Sequence, residues 1–341
     1  MTHVNPVVDE PQAPVPPPRV SLAKLSRILS LRLLLGITTL LSVSIVIFAA
    51  VQFLPGDAAE ILVGQYPDEQ TIAVLRRELG LDQPPVLRYL YWVGAALQGD
   101  FGNSLTSGRA ISDLIGTRLQ NTLYLAFYAA LIALPSAFVA AIFSVLKPGG
   151  LVDRITNTLS LVFLSSPQFL IAYVLVLFLA VSMPLFPSSA DMRPNTEIFR
   201  FLYICFLPAV TLSAVSAGYM ARMMRAVMLD VMERPFIRMA KLKGVTPNRV
   251  VLYHTLPNAL GSIAAVAALV LAQLILGVVV VETVFVYPGL GQLLVDSVSK
   301  RDVTVVQAIS LIFACVYILL NLTADLIAIL TNPQILYPGN D

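Results

Sequence analysis

The chain has 341 residues, 57% of them hydrophobic and only 12% charged, with a formal net charge of +2. Soluble domains carry about 25% charged residues, and a mean hydropathy of +0.81 belongs to a membrane protein. A balance so near neutrality gives no ground for a nucleic-acid partner, and the two histidines, His3 and His254, are too few and too far apart to organise a metal site.

Residues 1–30 are expected to form a disordered cytoplasmic tail, since residues 1–20 include six prolines and few apolar side chains. Lys24, Arg27 and Arg32 lead into an apolar run from Leu33 to Phe53. A secretory signal peptide has an apolar core of about 7–15 residues, whereas a membrane span needs roughly 20. Residues 31–53 are therefore predicted as an uncleaved first transmembrane helix that stops at Pro55-Gly56.

Residues 54–120 are too polar to cross a bilayer and are predicted to form a long external region. Within it, Pro67 to Leu79, closed by Gly80, has the pattern of an amphipathic helix with Ile72, Leu75 and Leu79 on one face. Val86 to Leu97 carries Tyr89, Tyr91 and Trp92, aromatic residues suited to a membrane interface. This region is either an outer cap packed on the spans or part of a solute path.

Residues 121–331 contain five more apolar runs, at Thr122–Leu146, Ile155–Val181, Phe201–Met220, Leu256–Val281 and Val305–Leu330. Each is long enough to cross about 30 Å of hydrocarbon at 1.5 Å per residue. Six helices put both termini on one side. The tail with Arg32, the 147–154 loop, the 221–254 segment and the C-terminal end counted from Asp325 hold 13 Lys and Arg against 7 Asp and Glu; the other side holds 9 against 13. The positive-inside rule makes the first side cytoplasmic.

Pro135, Pro167 and Pro208 lie inside or near these spans, and Ser165-Ser166-Pro167-Gln168 is expected to put a kink and an amide at membrane depth. Gln168, Gln273, Asn321 and Asp325 either bond between helices or face a water-filled path, and Asp325 has the further alternative of reaching water at the cytoplasmic end. Cys205 and Cys315 lie in apolar runs and are read as packing residues. No array of ionisable residues occupies mid-span, which weighs against a proton- or sodium-driven carrier working alone.

The cytoplasmic segment 226–256 is the most basic internal stretch. Pro235 suits a first helical turn, and Gly244 suits a helix stop in the left-handed conformation. Thr246-Pro247 suits the cap and first turn of a second helix. The prediction is a helix–turn–helix hairpin with Phe236, Ile237, Ala240, Leu242 and Val245 as a docking face, flanked by Glu233 and Lys243. A plain basic loop is the alternative.

This segment closely resembles the EAA motif of ABC-transporter permeases, EAA-x3-G-x9-I-x-L-P: Ala240, Gly244, Leu256 and Pro257 match, and Arg238, Met239 and His254 depart. Phe53-Leu54-Pro55-Gly56-Asp57, Leu79-Gly80-Leu81-Asp82-Gln83-Pro84 and Gln98-Gly99-Asp100-Phe101-Gly102-Asn103-Ser104 resemble, in order, elements of the oligopeptide/dipeptide/nickel permeases. So do Arg118-Leu119-Gln120-Asn121-Thr122, the run from Glu282 through Pro288 and Gly289 to Gly291, and Arg301-Asp302 with Val305-Val306-Gln307. The chain resembles the first permease subunit of such importers.

The resemblance implies an all-α integral membrane protein with the six transmembrane helices of an ABC importer type I permease, in a bacterial inner membrane. It implies a second, homologous permease, two ABC ATPase subunits docked on the 233–257 loop, and an external solute-binding protein. The chain has no GxxxxGK[ST] pattern. It is thus expected to bind no cofactor and to catalyse nothing itself; ATP and magnesium belong to the ATPases. Glu282, Pro288, Gly289 and Gly291 read as a tight external turn, either a gate of the pathway together with Gln168 and Gln273 or an ordinary connection. The family carries peptides most often, and also nickel chelates, opines and oligosaccharides. A lone secondary transporter, or a signalling or scaffold protein, is the alternative from another class.

Overall fold

The computed structural model describes residues 22–52, 69–78, 82–192 and 196–331. The proline-rich start of the tail, the Phe53–Asp57 element, Leu79–Leu81 with the side chains of Ile72 and Leu75, and the C-terminal 332–341 lie outside the described residues. All regular elements described are helical.

Helix α1 (Leu22–Gln52) is followed by α2 (Glu69–Glu78) and α3 (Pro85–Leu97). Next come α4 (Ile111–Leu146), α5 (Leu151–Ser165) and α6 (Gln168–Leu175), the last extended by wide π turns at Val176–Ser182. Then follow α7 (Ile198–Ile204), the central α8 (Phe206–Met232), and the short α9 (Pro235–Leu242) and α10 (Pro247–Arg249). A π segment, Val250–Thr255, joins α10 to α11 (Leu256–Val284), and α12 (Leu290–Ser299) and α13 (Val303–Thr331) complete the order.

Among the described residues, four helices are long and apolar enough to cross a membrane, and two bent pairs bring the number to six if each pair is one span. The sequence boundaries are corrected in four places. Helix α1 starts at Leu22, inside the stretch expected as tail, and α4 starts at Ile111, inside the region expected as external loop. Helix α8 runs on to Met232, carrying the span well past Met220, and meets α7 at a 59° bend. The largest change is at Pro167: in place of a kinked span, α5 and α6 are set at 110°. Ser166 is extended (φ −92°, ψ 132°), as steric clash with a following proline ring demands. Pro167 then opens a new helix, with the Leu170 N–H donating to its carbonyl at 2.9 Å.

Helix α8 packs against α4, α5 and α11, and α11 against α13. The buried core falls into layers. Leu125, Leu207, Leu212, Val278 and Phe285 fill one end of the bundle. Ala137, Met224, Met228, Val251 and Ile263 fill the end that carries α9. The small residues Ala129, Ala133, Ala137 and Ala141 recur every four positions along α4 and are all buried, which lets backbones approach where the hydrophobic effect offers no help between lipid-bathed helices. Both cysteines are free, Cys205 buried and Cys315 half-buried.

Two ion pairs pin helix ends. Arg225 on α8 grips Asp153 on α5 through two hydrogen bonds, Nε to Oδ1 at 2.6 Å and Nη2 to Oδ2 at 2.8 Å. Asp153 also accepts from the Gly149 N–H and the Asn157 amide, each at 2.8 Å. Arg32 on α1 meets Asp325 on α13 at 2.9 Å, so Asp325 has a partner on the first helix. At the opposite end, α3 lies on α1: Tyr89 and Trp92 pack on the Phe48 ring, and the Tyr89 hydroxyl bonds Ser44 Oγ at 2.8 Å.

Asp153 is buried, and removing one partner of a buried pair leaves an uncompensated charge, costing about 3 kcal/mol. Arg225→Leu alone is expected to destabilise the purified protein more than the double change Asp153→Asn with Arg225→Leu. Thermal unfolding in detergent measures the order, and a double variant less stable than the single one contradicts it.

Candidate functional site

At the end of α11 the chain turns sharply, and four of the predicted residues meet there. Glu282 is fully buried, on the last turn of α11. Thr122 Oγ1 donates to its Oε1 at 2.6 Å, and the N–H groups of Gly291 and Gln292 donate to its Oε2 at 2.7 and 3.2 Å. Those two N–H groups open α12, where an intrahelical acceptor is missing and an anion is favoured. Thr122 Oγ1 in turn accepts the Leu290 N–H at 2.9 Å. A single carboxylate thus ties α4, α11 and α12 together.

Two glycines at this turn have no room for a side chain. A Cβ at Gly289 would overlap the Glu282 carboxylate, and one at Gly291 would fall 2.6 Å from the Val279 Cα. Val286 adopts a left-handed φ of 51°, unusual for a branched residue. It is held there by the Tyr287 N–H donating to the Glu282 carbonyl at 2.8 Å and by the buried Tyr287 ring, whose hydroxyl donates to the Asn121 carbonyl at 2.7 Å. The Asn121 amide donates to the Pro288 carbonyl at 2.8 Å.

A second clasp on the same side escaped the sequence reading. Asp302, buried between α12 and α13, accepts from Ser104 Oγ, from Thr106 Oγ1 at 2.8 Å, from the Leu105 N–H at 3.2 Å and from Thr304 Oγ1 at 3.0 Å. Burial alone would raise its pKa; these donors outweigh burial and hold the carboxyl below the usual aspartate value. The run Gly99–Ser104 is thereby sewn to Arg301-Asp302. Both motifs were visible, but nothing in the sequence pairs residues so far apart.

An open cavity of about 990 Å³ lies beside the Glu282 turn. One face of α4 lines it, from Asp113 through Thr117, Arg118 and Asn121 to Tyr124 and Phe127, with Phe201 and Pro288 opposite. Neither predicted amide is part of its lining. Gln168, at the start of α6, lies against α11 where Gly277 has no side chain; a Cβ there would sit 2.9 Å from the amide oxygen. Gln273, one turn earlier on α11, is exposed. The structure therefore separates the two glutamines from the Glu282 turn.

At the other end, the predicted helix–turn–helix is present. Pro235 opens α9 and Pro247 opens α10. Gly244 has φ +79° with open space around its missing side chain, so conformation and not crowding requires glycine. Thr246 is extended and precedes α10, but its side chain makes no capping bond. Of the expected docking face, Ile237 alone is closed off from any partner. Ile237 is fully buried and anchors the hairpin to its own bundle, and Ala240 and Val245 are half-buried. The exposed ridge is Phe236 (46%), Met239 (54%) and Leu242 (84%), three residues apart. Met239, which departs from the motif, joins the ridge. Glu233, Arg238, Lys241 and Lys243 are exposed around it. Leu256 and Pro257 open α11, half-buried and exposed respectively.

Because the Gly289 Cβ position coincides with the Glu282 carboxylate, Gly289→Ala and Glu282→Ala are expected to couple. Each single change lowers stability, and together they cost less than their sum by at least about 1 kcal/mol. Denaturant or thermal unfolding of the four proteins measures this; additive losses contradict the clasp.

Two family patterns cover the chain. The one described as "Binding-protein-dependent transport system inner membrane component" matches residues 133–337, and its N-terminal companion matches residues 25–126. Among similar proteins, a probable peptide ABC transporter permease protein, y4tP of Sinorhizobium fredii, is 33% identical over 90% of this chain and 98% of its own length. The glutathione transport system permease protein GsiC of Escherichia coli K12 is 38% identical over 90% of this chain and 97% of its own. GsiC of Salmonella typhi is likewise 38% identical, over 90% and 98%. With both ends of the helical bundle matched, the chain belongs to the inner membrane components of binding-protein-dependent transport systems.

Proposed function

We propose that the chain is one of two homologous permease subunits of an ATP-driven importer for peptides or small peptide-like solutes. The second permease completes the pathway, an external solute-binding protein delivers the solute, and two ABC ATPases dock on the α9–α10 hairpin. The relatives named for peptide and glutathione transport support this solute class. The charge asymmetry of the loops supports an inner-membrane topology with both termini and the hairpin in the cytoplasm. ATP and magnesium then sit on the ATPases.

One observation carries the coupling role. The hairpin buries Ile237 in its own bundle and turns Phe236, Met239 and Leu242 outward. A ridge of apolar side chains held on a rigid helix outside the bilayer needs a groove to cover it. Through α8 above and the α10–α11 continuation below, a push on that ridge reaches two central helices directly. In this reading ATP binding closes the ATPases, the hairpin moves as a lever, and the spans switch access.

Gly244→Pro is the direct test, since proline fixes φ near −65° where the chain needs +79°. Membrane insertion and ATP hydrolysis are expected to survive, and uptake to be lost. Full uptake at normal ATP turnover contradicts the coupling role. A companion change, Leu242→Asp, is expected to release the ATPases from the purified complex while leaving the bundle folded; retained ATPases contradict the placing of the ridge.

A further inference from the structure

The cavity beside the Glu282 turn has an organisation that the transport reading does not use. Its α4 wall is graded. Arg109 stands just before the helix, Asp113 and Thr117 lie in its first turns, Arg118 and Asn121 come next, and Tyr124 and Phe127 follow further along it. Charged and amide groups on a membrane-crossing helix are costly against lipid and are at home against water. Among the described lining residues, two guanidinium groups against one carboxylate leave the charge net positive. Arg118 is the charge nearest the turn: one of its N–H groups donates to the Gly289 carbonyl at a long 3.4 Å. A guanidinium has five N–H donors, so most of its capacity remains for another acceptor.

We propose that this cavity is a solute subsite that recognises a free carboxylate, with Arg118 as the carboxylate-binding residue and the Tyr124 and Phe127 rings as the bed for an adjoining side chain. The inference rests on the importer reading and adds that the permease itself selects among solutes. Asp113 stands about 7.5 Å further out along the helix, five residues at 1.5 Å each. It repels a carboxylate and favours an ammonium, so a peptide enters with its C-terminus toward the turn. A carboxylate on the free Arg118 donors would share that guanidinium with the Gly289 carbonyl, which places solute contact one hydrogen bond away from the turn that holds Glu282.

The test uses the complete permease–ATPase complex in nanodiscs, without the solute-binding protein, so that protection reports the cavity alone. Gln120→Cys places a thiol in the cavity lining, with other accessible cysteines removed, and a membrane-impermeant maleimide measures its exposure. The probes are the dipeptide glycylphenylalanine and its C-terminal amide. The expected result is ready labelling, protection by the free dipeptide and not by the amide, and a rightward shift of protection by about tenfold in Arg118→Gln, the size of one charge-assisted hydrogen bond. No labelling means that lipid or a second chain covers the face and overturns the proposal. Labelling with equal protection by both probes, or with none, also overturns it. ATP hydrolysis in the same samples reports the importer reading separately: a hydrolysing complex without selective protection sinks only this inference, whereas a complex with no ATPase sinks the reading beneath it.

Discussion

The buried carboxylate of Glu282 is the constraint on which its end of the bundle depends. An ionisable group at the end of a membrane helix is tolerable only when its oxygens are satisfied, and here Thr122, Gly291 and Gln292 satisfy them from two other helices. That requirement explains the local sequence. Gly289 is glycine because the carboxylate occupies the place of its Cβ, and Gly291 because α12 lies against the α11 backbone. Tyr287 and Asn121 then bind the turn to α4. Asp302 repeats the device with Ser104, Thr106 and Thr304, fixing the loop before α4 to the start of α13. Two carboxylates thus organise one face of a protein that has few charges to spend.

The opposite end is built on proline and glycine. Pro235 and Pro247 start the two short helices and Gly244 supplies the left-handed turn between them, so the hairpin has little freedom to bend. Ile237 locks it to the bundle while Leu242 stands free. The π segment Val250–Thr255 lies where the hairpin becomes the long helix α11, and such segments recur at functional sites. In the proposed importer this continuous path carries motion from the ridge to the helix that ends at Glu282. The clasp at one end and the lever at the other lie on the same helix.

What the sequence conveyed was mostly local punctuation. Pro235, Gly244 and Pro247 each act through their own backbone, so the hairpin could be read from three letters. The turn at Glu282–Gly291 was legible as a turn, but its cause, a carboxylate filling the space beside Gly289, was not, because Thr122 lies far away in the chain. The Ser104–Asp302 clasp was hidden for the same reason. Which side of α9 faces outward depends on what the bundle offers to Ile237, and an eight-residue helix with apolar residues on several sides does not announce it. Pro167 signalled an interruption but not its size, 110°, because nothing local in the sequence shows where Gln168 comes to lie against Gly277 of α11. Buried small residues such as Ala133 and Ala137 look like any other apolar residue until a neighbour packs on them.

The central claim is that this chain works only as part of an ATP-driven importer. Purifying the tagged chain from its own host in mild detergent, and identifying every protein that comes with it, tests that most directly. The account predicts a second permease of the same family together with at least one ATPase that carries a P-loop. A chain that emerges alone and moves solute across vesicle membranes without ATP would contradict it and make the protein a carrier in its own right.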